Sequence, residues 1–145
     1  MRAEARWRSN WRAIGPDGAI RVHLPRSRTA RRTSEIGLRR LPAGTSVVLL
    51  AAAPGAVRRC AAVAAQAGIV PEREYLAFPS AEAPAYLVED EPASVRVFVQ
   101  TVLAVPPRTA LALPMHLAFR VLRSFGTWRL TRMVAPGRVV VGRRV

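Results

Sequence analysis

The residues able to do chemistry are few and widely spaced. Two histidines, His23 and His116, stand 93 positions apart, and there is one cysteine, Cys60. A transition-metal site needs several nitrogen or sulfur ligands at short spacing, so no metal is expected. Neither a G-x-G-x-x-G run nor a phosphate-binding P-loop occurs. The nearest feature is Ala53-Pro54-Gly55, between a strand-like and a helix-like run, where helix amides would meet a phosphate or carboxylate. With one glycine, the plainer reading is a tight turn. Nucleophilic catalysis would need Cys60, a serine or a threonine beside a base. Cys60 falls on the inward side of an Ala-rich helix, the place of a small buried residue. Ser80 follows the end of a strand, where ligands of open α/β sheets bind, although a serine after a proline is also ordinary turn chemistry. Glu89, Asp90 and Glu91 offer carboxylates as bases, but three acids ahead of a helix read as solvated caps.

Charge is the other resource. The chain of 145 residues has 23 cationic side chains, all arginine, against nine acids, for a net charge of +14. An all-arginine, Ala- and Pro-rich chain also fits a GC-biased genome, which competes with a polyanion partner as the cause. Residues 1–40 carry a charge of +8, residues 41–107 carry −2 and residues 108–145 carry +8, so the basicity sits on the flanks. Trp7 and Trp11, four apart beside Arg8 and Arg12, would offer stacking surfaces to nucleic acid, or form the stripe of a short helix. One cysteine excludes an internal disulfide framework. Arg58 and Arg59 interrupt the most apolar stretch, which argues against a membrane-spanning helix. The Arg-rich start leads into no apolar stretch of secretory type, and Arg31-Arg32 lacks the continuation of a twin-arginine signal, so a cytoplasmic protein is expected. The same start has the composition of an organellar transit peptide.

The length fits one domain or a piece of a larger one, and half the residues are hydrophobic, enough for a core. AIRVHL (19–24) alternates as a short strand would, whereas PRSRTARRTSE (25–35) shows no periodicity and is expected to be loop or disordered. After the LPAGT turn (41–45), SVVLLAAA (46–53) is an unbroken apolar run, the kind found in a strand buried on both faces. AVRRCAAVAAQAG (56–68) reads as a helix with Pro54 suiting its start, Val57, Cys60, Ala61 and Ala64 on one face and Gly68 as its C-terminal cap. EREYLAFPS (72–80) is a second strand, which makes a βαβ unit with a parallel pair. After an extended 83–89, Pro92 opens a helix with Val95, Phe98, Val99, Val102 and Leu103 at helical spacing, ending at Pro106-Pro107. A further helix is expected over about 114–125, with Met115, Ala118, Phe119, Leu122 and Phe125 inward and His116, Arg120 and Arg123 opposite. That basic helix suits either a core or an anionic membrane surface. WRLTRM (128–133) and RVVVGRRV (138–145), about the Pro136-Gly137 turn, predict a C-terminal hairpin.

Residues 39–145 taken together resemble the C-terminal half of a class I S-adenosylmethionine-dependent methyltransferase. RRLPAGTSVVLLAAAP (39–54) resembles the family's L-x-P-G-G turn and fifth strand, keeping one of its two glycines at Ala43-Gly44-Thr45. AAQAGIVPEREYLAFPS (64–80) is similar to the helix whose A-G-hydrophobic step leads into the sixth strand. PSAEAPAYLVEDEP (79–92) and APGRVVVGRR (135–144) are similar to the ending of one subgroup: a proline-serine turn, an aromatic extended segment, a helix and a last strand. The resemblance implies an α/β fold, a partial doubly wound, Rossmann-like sheet built on the βαβ unit, two later helices and the hairpin. It places an Arg-rich N-terminal segment, partly disordered, at 1–38 and the methyltransferase-like domain at 39–145.

The family's cofactor site is built by a glycine-rich loop after the first strand and an acidic residue ending the second, and residues 1–38 hold neither. No cofactor-binding residue therefore carries over. The resemblance implies an incomplete methyltransferase, inactive alone, that would take S-adenosylmethionine only when completed by a missing half or a partner. Its ancestral acceptor would be a small molecule or sugar, with Pro79, Ser80 and Tyr86 nearest to it. Half of such a sheet leaves a strand edge open, which a protein partner would cover. The alternative is a non-enzymatic basic module that binds nucleic acid or an anionic membrane through Arg31, Arg32, Arg39 and Arg40, with Arg120 and Arg123.

Overall fold

The computed structural model describes residues 14–81, 84–102 and 127–145. The Trp7 and Trp11 pair and the expected helix over 114–125, with His116, Arg120 and Arg123, lie outside them. The described chain runs β1 (Ile20–Leu24), α1 (Arg28–Arg39), β2 (Ser46–Ala52), α2 (Ala56–Ala67), β3 (Ile69–Phe78), β4 (Tyr86–Glu89), α3 (Pro92–Thr101), α4 (Thr127–Val134) and β5 (Gly137–Arg144). The fold is α/β, with one mixed five-stranded sheet in the order β1-β2-β5-β3-β4.

β1 and β2 are parallel, whereas β5 runs antiparallel to both β2 and β3. β2 and β3 point the same way, as the βαβ reading requires, but they are not neighbours as it expected. β5 lies between them, with Val140 facing Leu49 on one side and Glu74 on the other. The reason is the composition of β5. Val139, Val140 and Val141 are all buried, and a strand apolar on both faces must sit inside a sheet.

That placement also overturns the C-terminal hairpin. With β2 and β3 on its two sides, β5 has no free edge for a hairpin partner. WRLTRM lies in α4, and Pro136 turns that helix into β5. A third correction concerns PRSRTARRTSE. Most of it is α1, which buries Leu38 and packs on α2, so docking orders a segment whose composition reads as loop. α1 runs through position 38, and β1 pairs with β2, so residues 20–39 join the same sheet-and-helix unit.

Alternation along the strands separates two faces. On one, Leu24, Val47, Leu49, Ala51 and Val140 pack against α1 and α2, while Leu76 and Val88 pack against α3 and Trp128 of α4. On the other, Val48, Leu50, Tyr75, Ala77, Val139 and Val141 form a second cluster with Ile14, Ala19 and Leu87. Among the described residues all four helices cover the first face, so the two-sided winding of a doubly wound sheet is not found there.

Local signals place α2 well. Gly68 closes it at φ +65, a left-handed conformation that suits glycine, and its N–H bonds to Ala64 and Ala65 carbonyls. Buried positions are Ala56, Cys60, Val63, Ala64 and Ala67, so Val57 is half-buried at the margin of the stripe, and Ala61, expected inward, is exposed. Pro54 precedes the N-cap Gly55 instead of entering the first turn. α3 begins at Pro92 and buries Val95, Phe98 and Val99, as its spacing predicts, but it ends at Thr101 with Val102 exposed at its C-cap, while Leu103 and Pro106-Pro107 lie outside the described residues.

Candidate functional site

One position in the helix-covered face breaks the apolar pattern. Between Ala51 of β2 and Leu76 of β3, at the register where a valine or leucine would fit, β5 carries Arg138, 2% exposed. An arginine so placed must be paired, because an isolated buried charge is strongly unfavourable. Its Nη1 donates to Asp90 Oδ2 and its Nη2 to Glu74 Oε2. The Asp90 side chain is 1% exposed and accepts a further hydrogen bond from Trp128 Nε1 at 2.8 Å. Arg132 places Nε 3.0 Å from Asp90 Oδ2 and Nη2 3.9 Å from Glu74 Oε2, and its guanidinium lies 5.3 Å from the centre of the Trp128 ring. The Asp90 N–H donates to the Glu74 carbonyl at 2.8 Å, which ties the end of β4 to β3. Two arginines and two carboxylates make the cluster neutral, and it joins β3, β5, α4 and the start of α3.

Beside this cluster is a cleft of about 660 Å³ between the first turn of α2 and α4, whose lining includes Gly55, Arg58, Leu76, Trp128 and Arg129. It lies near the carboxyl end of β2, the general location of ligand sites in open α/β sheets. The Ala53-Pro54-Gly55 turn at its edge is held by arginines: Arg59 donates to the Ala52 and Pro54 carbonyls, and Arg26 to the Ala53 carbonyl. Burial lowers the pKa of Arg59 from its ordinary value. Cys60, next in sequence, is fully buried, and burial pushes its thiol up to about 12 despite the opposing fields of Arg138 and Arg59. A thiol so protonated is a poor nucleophile, which agrees with its reading as a packing residue.

A second concavity separates α1 from α2. This groove, about 820 Å³, is lined by Arg28, Arg31, Arg32 and Arg39 with Glu35, Ile36, Ala62 and Gln66. The structure thus gathers Arg31, Arg32 and Arg39 of the expected basic set and adds Arg28. Arg40 sits exposed at the C-cap of α1, and Arg120 and Arg123 lie outside the described residues. Positions 28, 32, 35 and 39 fall on one helical stripe, a signal present in the sequence once α1 is taken as a helix.

Pro79, Ser80 and Tyr86 gather at the connection between β3 and β4, since Tyr86 stands opposite Phe78. Pro79 is exposed after a cis peptide bond, Ser80 is half-buried, and Tyr86 is 49% exposed with its ring 5.6 Å from that of Phe98. The next residue, Ala81, lies against Gly137 so closely that a Cβ there would stand 2.7 Å from the Ala81 Cα. Ala81 also lines a recess of about 340 Å³ with His23, Arg26, Leu50 and Ala52, at the carboxyl ends of β1 and β2. Of the three acids before α3, Asp90 is the buried partner of Arg138, while Glu91 occupies the N-cap and accepts from Ser94 Oγ at 2.7 Å. No group of three or more potential metal ligands occurs among the described residues. Nor is any helix among them long and apolar enough to cross a membrane.

The fold and these sites define an α/β protein with a mixed sheet, a neutral ion cluster under its helices and a basic groove on its flank. Comparison with protein-family models, with characterised proteins and with solved structures finds no match.

Proposed function

We propose that the chain is a methyltransferase-like α/β unit without a working cofactor site, inactive alone and dependent on a partner for any methyl transfer. The observation that carries the reading is the order of elements from the LPAGT turn onward. Among the described residues a buried strand, a helix closed at Gly68, a second strand, a Pro79-Ser80 turn, an aromatic strand holding Tyr86, the helices α3 and α4 and a reversed last strand occur in that order. A free strand edge adds support: among the described residues β1 pairs with β2 alone, and its other side is open to a further strand.

The residues present do not fit S-adenosylmethionine. The connection after β1, Pro25-Arg26-Ser27, has no glycine, and the one after β2 has only Gly55. β1, the one described strand ahead of β2, which resembles the family's fifth strand, ends in His23-Leu24 and presents no carboxylate to a ribose. In a completed assembly the acceptor, a small molecule or sugar, would lie near Pro79, Ser80 and Tyr86.

Titration calorimetry of the purified chain with S-adenosylmethionine tests the reading, and no heat of binding is expected. Saturable binding by the chain alone would overturn it.

A further inference from the structure

The groove between α1 and α2 holds a charge imbalance that the fold leaves uncorrected. Of its four arginines, Arg31 is 4.0 Å from Glu35, and Arg39 Nε donates to the Gln66 carbonyl at 2.8 Å. Glu35 is further engaged by the Gln66 amide, at 2.8 Å in the orientation that satisfies both groups. No acid among the described residues pairs with Arg28 or Arg32, which stand four apart and repel each other.

The start of α1 compounds this. Its N-cap Ser27 makes no side-chain hydrogen bond and its first turn has no acid, while Arg28 and Arg31 occupy the positive end of the helix dipole. Cations are disfavoured there, and an anion is favoured. A helix that gathers arginines at its positive end and along one stripe facing a groove is arranged for a ligand with several negative charges.

We propose that this groove binds the phosphate backbone of single-stranded nucleic acid. From Arg28 to Arg39 the helix rises about 16 Å, which spans about five phosphates of one strand at about 3.4 Å each. The arginines lie in one line along α1, which suits the single phosphate row of one strand. A membrane surface is a poorer match. The groove's exposed large apolar residue is Ile36, whereas a membrane-lying helix needs a broad apolar face opposite its cations. The binding goes beyond the methyltransferase-like reading and does not depend on it.

Fluorescence anisotropy of a labelled single-stranded RNA of about 12 nucleotides, titrated with the intact chain, tests the proposal. Affinity should fall as salt rises, with about 0.7 of logarithmic slope for each phosphate neutralised. The double variant Arg28→Gln/Arg32→Gln should weaken binding tenfold or more and reduce the slope by about 1.4. Both side chains are exposed, and no acid among the described residues pairs with them, so an unchanged thermal midpoint is expected and separates lost binding from lost folding. A control of equal charge change at exposed positions outside the groove and the clefts, Arg21→Gln/Arg96→Gln, should alter affinity by less than about twofold. Equal weakening by both doubles would overturn the proposal in favour of bulk charge. Undiminished binding by the groove variant, or no binding by the parent chain, would overturn it too. So would groove-dependent binding to phosphatidylserine vesicles with none to the RNA.

Discussion

Arg138 and Arg28 carry the same guanidinium in opposite settings. Arg138 stands under the helices with a carboxylate on each side, and a third donor, Trp128, completes the coordination of Asp90. Arg28 stands at the rim of an open groove, next to another cation and at the wrong end of a helix dipole. The two helix starts repeat the contrast: Glu89, Asp90 and Glu91 precede α3, whereas Arg28 and Arg31 open α1. Burial forces pairing, because an unpaired charge cannot remain in the interior, so the inner arginines are bound up in architecture. Exposure removes that pressure, and the outer arginines stay available to an external anion.

The strongest test of this contrast is Asp90→Ala. It leaves Arg138 with Glu74 as its one carboxylate, beside Arg132, and the Trp128 donor without its acceptor, and about 3–5 kcal/mol of stability should be lost, read from the urea midpoint. A loss below about 1 kcal/mol would mean that Arg138 needs no more pairing than a surface arginine. The double variant Arg138→Met/Asp90→Leu should be more stable than Asp90→Ala alone, since it removes both charges together. Recovery should be incomplete, because the Trp128 N–H still loses its acceptor at a cost of about 1–3 kcal/mol.

Cys60 offers a pH test of the same interior. Its folded pKa of about 12 lies above the ordinary value of 9.0, so the folded state holds the proton more tightly. The stability this contributes is full below pH 9.0 and is lost as pH rises toward about 12. At neutral pH the thiol should resist alkylation until the chain unfolds, which a labelling series across a urea gradient would show. Rapid labelling of the native protein would contradict the burial. The smallest expected effect is on the other side of the comparison. Arg28→Glu places an acid at the start of α1, facing Arg31 and Arg32, and should raise stability by about 0.3–1 kcal/mol while weakening RNA binding. A variant that is stabler yet binds less well would separate the groove's cations from any folding role.

Legibility in the sequence divides along the same line. The elements of the Ser46–Phe78 stretch can be read because an unbroken apolar run, a 3.6-residue stripe and a capping glycine are each local signals, although β3 begins at Ile69 and not at 72 and Ala61 is exposed. α3 is equally plain from Pro92 and its acids. α1 escapes such reading: its stripe is arginine, so its helical period appears only once Leu38 has a core to enter. α4 escapes it because WRLTRM suits strand or helix, and what excludes the strand is the occupation of both sides of β5. The groove is partly visible, through Arg31, Arg32 and Arg39, while the Arg138 cluster is hidden because its partners are 48 and 64 residues away.

By itself the sequence determined the α/β class, the unit from β2 through β3, the buried state of Cys60 and the basic flanks. These follow from periodicity, capping and charge, which act between near neighbours. Only the tertiary structure decided that β5 separates β2 from β3, that α4 is a helix, and which arginines are paired. Strand order and ion pairing depend on which distant segments compete for the same sheet edge and the same carboxylate, and that competition is resolved only when the whole core closes.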